Sequence, residues 1–164
     1  MARGAEKETM SKLNLEFAFT YRLQVRGPLQ SKDGSPVDER RQYWEMASAT
    51  LEGPRIHAST PVSGIDWFTP IGNGYGRPHV RLPLHTDDGA LVLLEYNGVV
   101  HATEQFNRAV ANDTSTDWDD QYMRMALTFD TASERYAWLT QHLFIARGRL
   151  LGAKDIEYEV FQLV

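Results

Sequence analysis

Carboxylates, tyrosines and histidines are the side chains of this sequence best placed to move protons. Asp66 stands beside Trp67 in the short apolar run Gly64 to Phe68, just before the glycine-rich stretch Thr69 to Pro78. Burial against an indole raises a carboxyl pKa and fits it for proton transfer near neutrality. The alternative is an Asp66 that ends a strand or caps a turn. His79 is a second candidate base. Arg81 shares its face, and Glu95 shares a face with Leu91 and Leu93, where an interior carboxylate would need Arg81 or Arg124 as partner. Facing a cavity, such a cluster would hold an enol or carbonyl oxygen; facing water, it would be an ordinary cross-strand salt bridge. Tyr122 and Arg124 alternate with Met123, Met125, Leu127 and Phe129, so one face of that strand is core. If the other face points inward, Tyr122 is an acid and Arg124 an oxyanion partner; if outward, both are solvent-facing or dimer contacts. Trp44, Trp67, Arg81 and Glu95 are the candidate substrate contacts, while Tyr136 and Trp138 read as packing residues that plug a barrel.

Other chemistries lack their residues. With no cysteine there is no thiolate nucleophile, disulfide or Cys-ligated metal. The five histidines show neither a His-x-His pair nor a His-Glu-x-x-His helix, so a metal site would need distant strands to converge. No Gly-x-Ser-x-Gly elbow occurs, and glycines 72, 74 and 76 lead into Arg77-Pro78 rather than a phosphate-binding helix. A formal charge of -5 argues against nucleic acid and anionic membranes. The polar start and the lack of a long apolar run leave a soluble protein, with the cytoplasm as the expected compartment.

The elements that must position these residues are mostly strands. Leu13, Leu15, Phe17, Phe19, Tyr21, Leu23 and Val25 alternate with more polar residues, which predicts one long strand with a single buried face. Arg41 to Leu51, Arg55 to Ser59, Gly64 to Phe68, His79 to Leu84, Ala90 to Tyr96, Tyr122 to Phe129, Leu143 to Leu150 and Ile156 to Leu163 follow as strands. Asp87-Asp88-Gly89 is a hairpin turn, and Thr69 to Pro78 a specially shaped or mobile loop that could border a pocket. Short helices are expected after Thr103 and after Thr131-Ala132-Ser133-Glu134, which has the pattern of a capping box. Many strands on short turns leave unpaired edges unless the sheet closes. The expectation is therefore an all-β, mainly antiparallel fold: a single closed or nearly closed barrel over 13–164, preceded by a disordered segment over 1–12, with a sandwich as the alternative because periodicity does not report closure.

Several blocks resemble one family, the domain-of-unknown-function family 3237, also called uncharacterised protein family 0311. They are Leu51-Glu52-Gly53-Pro54-Arg55, Gly64-Ile65-Asp66-Trp67, Leu84-His85-Thr86-Asp87-Asp88-Gly89-Ala90-Leu91, Phe129-Asp130-Thr131, Arg135-Tyr136-Ala137-Trp138-Leu139 and Leu143-Phe144. The resemblance implies a compact β-barrel-like domain with a pocket, often paired as a homodimer, and no established general activity. Ala47-Ser48-Ala49 and Glu95-Tyr96-Asn97 depart from the family pattern. Taken with the missing motifs, the first functional reading is a cofactor-independent isomerase, lyase or cyclase. It would act on a small hydrophobic carbonyl or hydroxylated metabolite, with Asp66 or His79 as base, Tyr122 as acid and Arg124 as oxyanion partner. A non-catalytic carrier of hydrophobic metabolites and a purely structural module are the alternatives.

Overall fold

The computed structural model describes residues 12–36 and 40–164. The expectation of a disordered segment over 1–12 falls, but for Lys12, outside the described residues. Ten antiparallel strands among the described residues close into one barrel: β1 (Leu15–Arg26), β2 (Gln42–Gly53), β3 (Ile56–Ser59), β4 (Gly64–Gly72), β5 (Tyr75–Arg77), β6 (His79–Thr86), β7 (Leu91–His101), β8 (Tyr122–Asp130), β9 (Phe144–Leu150) and β10 (Asp155–Leu163). Closure comes from β1, which pairs with β10 on one side and β2 on the other. No strand then carries a long unpaired edge, which is why so many short-turned strands settle into this arrangement.

The inward residues follow the period of two. Tyr21, Leu23 and Val25 of β1, Val80, Leu82 and Leu84 of β6, and Val92, Leu94 and Tyr96 of β7 are all buried. The alternation of β1 does not run its whole length, however. A bulge between Phe17 and Phe19 shifts the register against β10, so Leu13, Leu15 and Phe17 are exposed instead of buried. An extra residue on one strand rotates everything before it to the other face. On the outside Phe17 meets Phe161 edge to face, with ring centroids 6.1 Å apart.

One end of the barrel is filled. A short 3-10 helix, Glu134–Leu139, drives Tyr136, Trp138 and Leu139 into it, and Trp138 packs 5.7 Å from Phe144, which in turn contacts Phe129 and Phe19. Each of these rings is worth roughly 2 kcal/mol in area removed from water. The plug expected from Tyr136 and Trp138 is thus present, but the capping box is not. Ser133 makes no side-chain cap bond, and Thr131 Oγ1 donates to Leu91 O at 2.8 Å.

The other end is covered more lightly. Helix α1 (Glu104–Asn112), capped by Thr103 Oγ1 accepting from Phe106 N, buries only Ala109 fully. Beside it, the expected loop of Thr69 to Pro78 is a β4–β5 hairpin, whose tip at Gly72, Asn73 and Gly74 has φ of 92°, 54° and 77°. That left-handed run explains the glycines: few other side chains tolerate it. Ala102 N donates to Gly74 O at 2.8 Å and ties the hairpin to the start of α1. No helix among the described residues is long and apolar enough to cross a membrane.

Candidate functional site

Between the aromatic plug and α1 the barrel holds a partly open cavity of about 240 Å³. Its wall is made by Leu23 and Val25 of β1, Trp44 and Met46 of β2, Asp66 and Phe68 of β4, Tyr96 and Val100 of β7, and Met123, Leu150, Ile156 and Tyr158. Phe106 and Val110 of α1 close it from above. The size lies just under the roughly 300–1,000 Å³ of pockets for drug-sized ligands, so it suits a small, mainly apolar molecule.

Among the described residues Asp66 is the one charged side chain lining this space, and it is 8% exposed. It faces Trp44 across the β2–β4 ladder and Val80 across β4–β6. Its Oδ1 accepts the His79 backbone N–H at 2.8 Å, and its other oxygen has no hydrogen-bond partner among the described residues. Burial pushes its pKa up to about 6, with the His79 N–H and the nearby imidazole opposing that rise. A carboxylic acid of this kind changes charge close to physiological pH.

Tyr96 and Tyr158 line the same space, and Tyr21 packs behind them in the barrel core. Tyr21 and Tyr158 are cross-strand partners stacked at 5.7 Å, and Tyr96 sits 5.9 Å from Tyr21 and 6.1 Å from Tyr158. The Tyr21 hydroxyl is buried without a well-formed hydrogen bond; it approaches Tyr96 but misses proper geometry. Tyr158 has no hydrogen-bond partner among the described residues. Burial, reinforced by the charge of Asp66, holds all three hydroxyls above the usual phenol range. They are therefore neutral donors at any physiological pH.

Only Asp66 and Trp44 of the sequence candidates line the cavity. Trp67 does not bury Asp66: consecutive strand residues point to opposite faces, so Trp67 packs outside against Tyr43, 5.3 Å away, and Trp44 supplies the indole beside Asp66. His79, Arg81 and Glu95 do come together, but on the outer surface. His79 Nε2 lies 2.9 Å from Glu95 Oε1, and Arg81 Nε donates to Glu95 Oε2 at 3.1 Å. The face of β7 carrying Leu91, Leu93 and Glu95 is its outer one; Val92, Leu94 and Tyr96 form the inner one. Tyr122 and Arg124 also face out, with the guanidinium 5.0 Å from the Tyr122 ring. Sequence reasoning missed Tyr96 and Tyr158 as polar residues of the site and treated Tyr21 as plain core. The available signal was three tyrosines on inward positions of apolar strands, each carrying a hydroxyl that burial must accommodate.

A wider groove of about 1,080 Å³ runs outside the barrel between Arg26–Gln30 and strands β6 and β7. Four of its charges pair with one another, Arg26 with Glu45 and Arg81 with Glu95, and the fifth, Asp130, is solvent-exposed. No buried polar side chain among the described residues lines it, which leaves the interior cavity as the better site.

Closure of the sheet and the mainly apolar space that Asp66 lines define the class: a closed antiparallel β-barrel protein with a small pocket. Residues 13–163 match the model of the family described as Protein of unknown function (DUF3237), and the chain belongs to that family. It is 26% identical over 136 residues to a UPF0311 protein of Clostridium acetobutylicum, covering 83% of this chain and 85% of the relative. Among solved structures it is similar to a conserved protein of unknown function from Rhodopseudomonas palustris, with a TM-score of 0.80, 20% identity and coverage of 94% of this chain and 100% of the other. It is also similar to an enzyme from Penicillium herquei, with a TM-score of 0.65, 19% identity and coverage of 99% and 100%. At these identities the two structures speak for the fold.

Proposed function

We propose that the barrel cavity binds a small, mainly hydrophobic metabolite and promotes a proton transfer on it, as an isomerase, lyase or cyclase that uses no cofactor. The observation that carries this reading is Asp66, a buried carboxyl with one oxygen fixed by a backbone N–H and the other unshared, in an apolar cavity that also holds Tyr96 and Tyr158. Above its pKa of about 6, Asp66 is an ionised base whose weak hydration makes it stronger than an exposed carboxylate. The tyrosines are neutral and can donate to an oxygen on which charge develops. Trp44, Phe68 and Phe106 enclose the apolar body and exclude water. That a protein of the same fold from Penicillium herquei is an enzyme agrees with this reading.

The test is native mass spectrometry of the protein isolated from expressing cells, followed by incubation of the released small molecule with fresh protein. A molecule that comes off chemically altered, with the change abolished by Asp66→Asn, supports the proposal. An unaltered molecule assigns the carrier role, in which Asp66 sets affinity alone.

A further inference from the structure

The charge inside the cavity is one-sided. Asp66 is acidic, and no Lys, Arg or His side chain among the described residues lines the same space. Its second oxygen takes no hydrogen bond from the described residues around it, the Tyr96 and Tyr158 hydroxyls included, and a second anion beside it would be repelled. Around it stand the rings of Trp44, Phe68, Tyr96, Phe106 and Tyr158, from five different elements. A ring face attracts a cation through its quadrupole, and a carboxylate forms its strongest hydrogen bonds with a charged N–H donor. The net charge of -5 also favours the approach of cations.

We propose that the cavity selects an organic ammonium: an apolar, ring-bearing amine whose protonated nitrogen pairs with the free oxygen of Asp66 while its body lies among the aromatic side chains. The inference rests on the barrel interior being the small-molecule site, and it names the class of ligand. Movement of the proton from nitrogen to the carboxylate oxygen breaks one N–H bond, forms one O–H bond and leaves an uncharged amine and an uncharged acid. Recognition and proton transfer thus use the same pair. Tyr96 and Tyr158 remain to bind a hydroxyl or carbonyl elsewhere on the molecule.

The pH dependence follows from the groups that face Asp66. Tyr21 of β1, Tyr96 of β7 and Tyr158 of β10 stay protonated through neutrality. His79 reaches Asp66 by its backbone N–H, while its ring is held outside by Glu95. Amine affinity therefore rises as pH increases through Asp66's value of about 6 and falls again where the amine itself deprotonates.

The experiment uses three probes of one skeleton, naphthylethylamine, naphthylethanol and naphthylacetate, titrated calorimetrically into the whole protein at pH 5 and pH 8. Shifts of the Met46 and Met123 methyl resonances, both on the cavity wall, locate the binding. At pH 8 the amine should bind about tenfold more tightly than the alcohol, and the acetate should not bind. Asp66→Asn should cost the amine about tenfold and the alcohol less than about threefold. The pH profile of the unmodified protein keeps the test independent of how that variant folds. An alcohol that binds as tightly as the amine, or an amine affinity that does not change with pH, overturns the ammonium assignment and leaves the cavity as the site. Failure of all three probes to shift the methionines overturns both.

Discussion

Replacing Asp66 by Asn should stabilise the protein, and more so at high pH. The folded protein holds this carboxyl at about 6 against a usual value of 3.8, because burial disfavours its charged form. For an acid whose folded pKa lies above its unfolded one, stability is fully present below the unfolded value and is lost as pH rises through the folded value. The shift is about two pKa units, and at 1.36 kcal/mol per unit ionisation of Asp66 costs about 3 kcal/mol at pH 8 but well under 1 kcal/mol at pH 4. Asn cannot ionise and retains an oxygen to accept the His79 N–H. Urea unfolding of both proteins at pH 4 and pH 8 isolates the contribution of this residue, since the remaining groups titrate alike in the two. The advantage of Asn should be larger at pH 8 by about 2 kcal/mol. An equal difference at the two pH values would refute the claim that burial outweighs the His79 contacts and holds Asp66 above the usual carboxylate range.

Three further outcomes follow from particular contacts. A Cβ at Gly76 would lie 1.9 Å from Phe68 Cζ, so Gly76→Ala should push that ring from its place on the cavity wall. A loss of about 1–3 kcal/mol in urea unfolding and displaced aromatic resonances would register it. Phe106→Ala on α1 should open the lightly packed end, raising probe association and dissociation rates together in stopped-flow measurements while global stability falls by about 1 kcal/mol. Glu95→Gln should leave probe affinity unchanged and shift stability by less than about 1 kcal/mol, because its pairs with His79 and Arg81 are solvent-exposed.

Much of the fold is legible in the sequence because strand periodicity and turn chemistry are local. The β6–β7 hairpin at Asp87-Asp88-Gly89 and the inward set on β6 lie where alternation places them. Asp66 was legible as a candidate buried acid because it stands among apolar neighbours, but the same local pattern equally suited a strand end or turn cap, and its indole neighbour was misassigned. The β1 bulge was not, because an inserted residue alters register without altering composition. Thr69 to Pro78 was misread as a loop because glycine and proline dominate it, yet β5 pairs with both β4 and β7.

By itself the sequence determined a mainly antiparallel β fold, an aromatic plug and an acid on an apolar strand, each of which depends on residue type and spacing of a few positions, while closure of the barrel was an expectation that periodicity cannot report. Only the tertiary structure decided which face of each strand is inside. Alternation defines two faces but leaves their sense open, and closure of the barrel resolves it by the volume of side chains the interior can hold. That choice sent His79, Arg81, Glu95, Tyr122 and Arg124 to the surface. It gathered Asp66, Trp44, Tyr21, Tyr96 and Tyr158, from five strands distant in sequence, around the cavity region of the barrel interior.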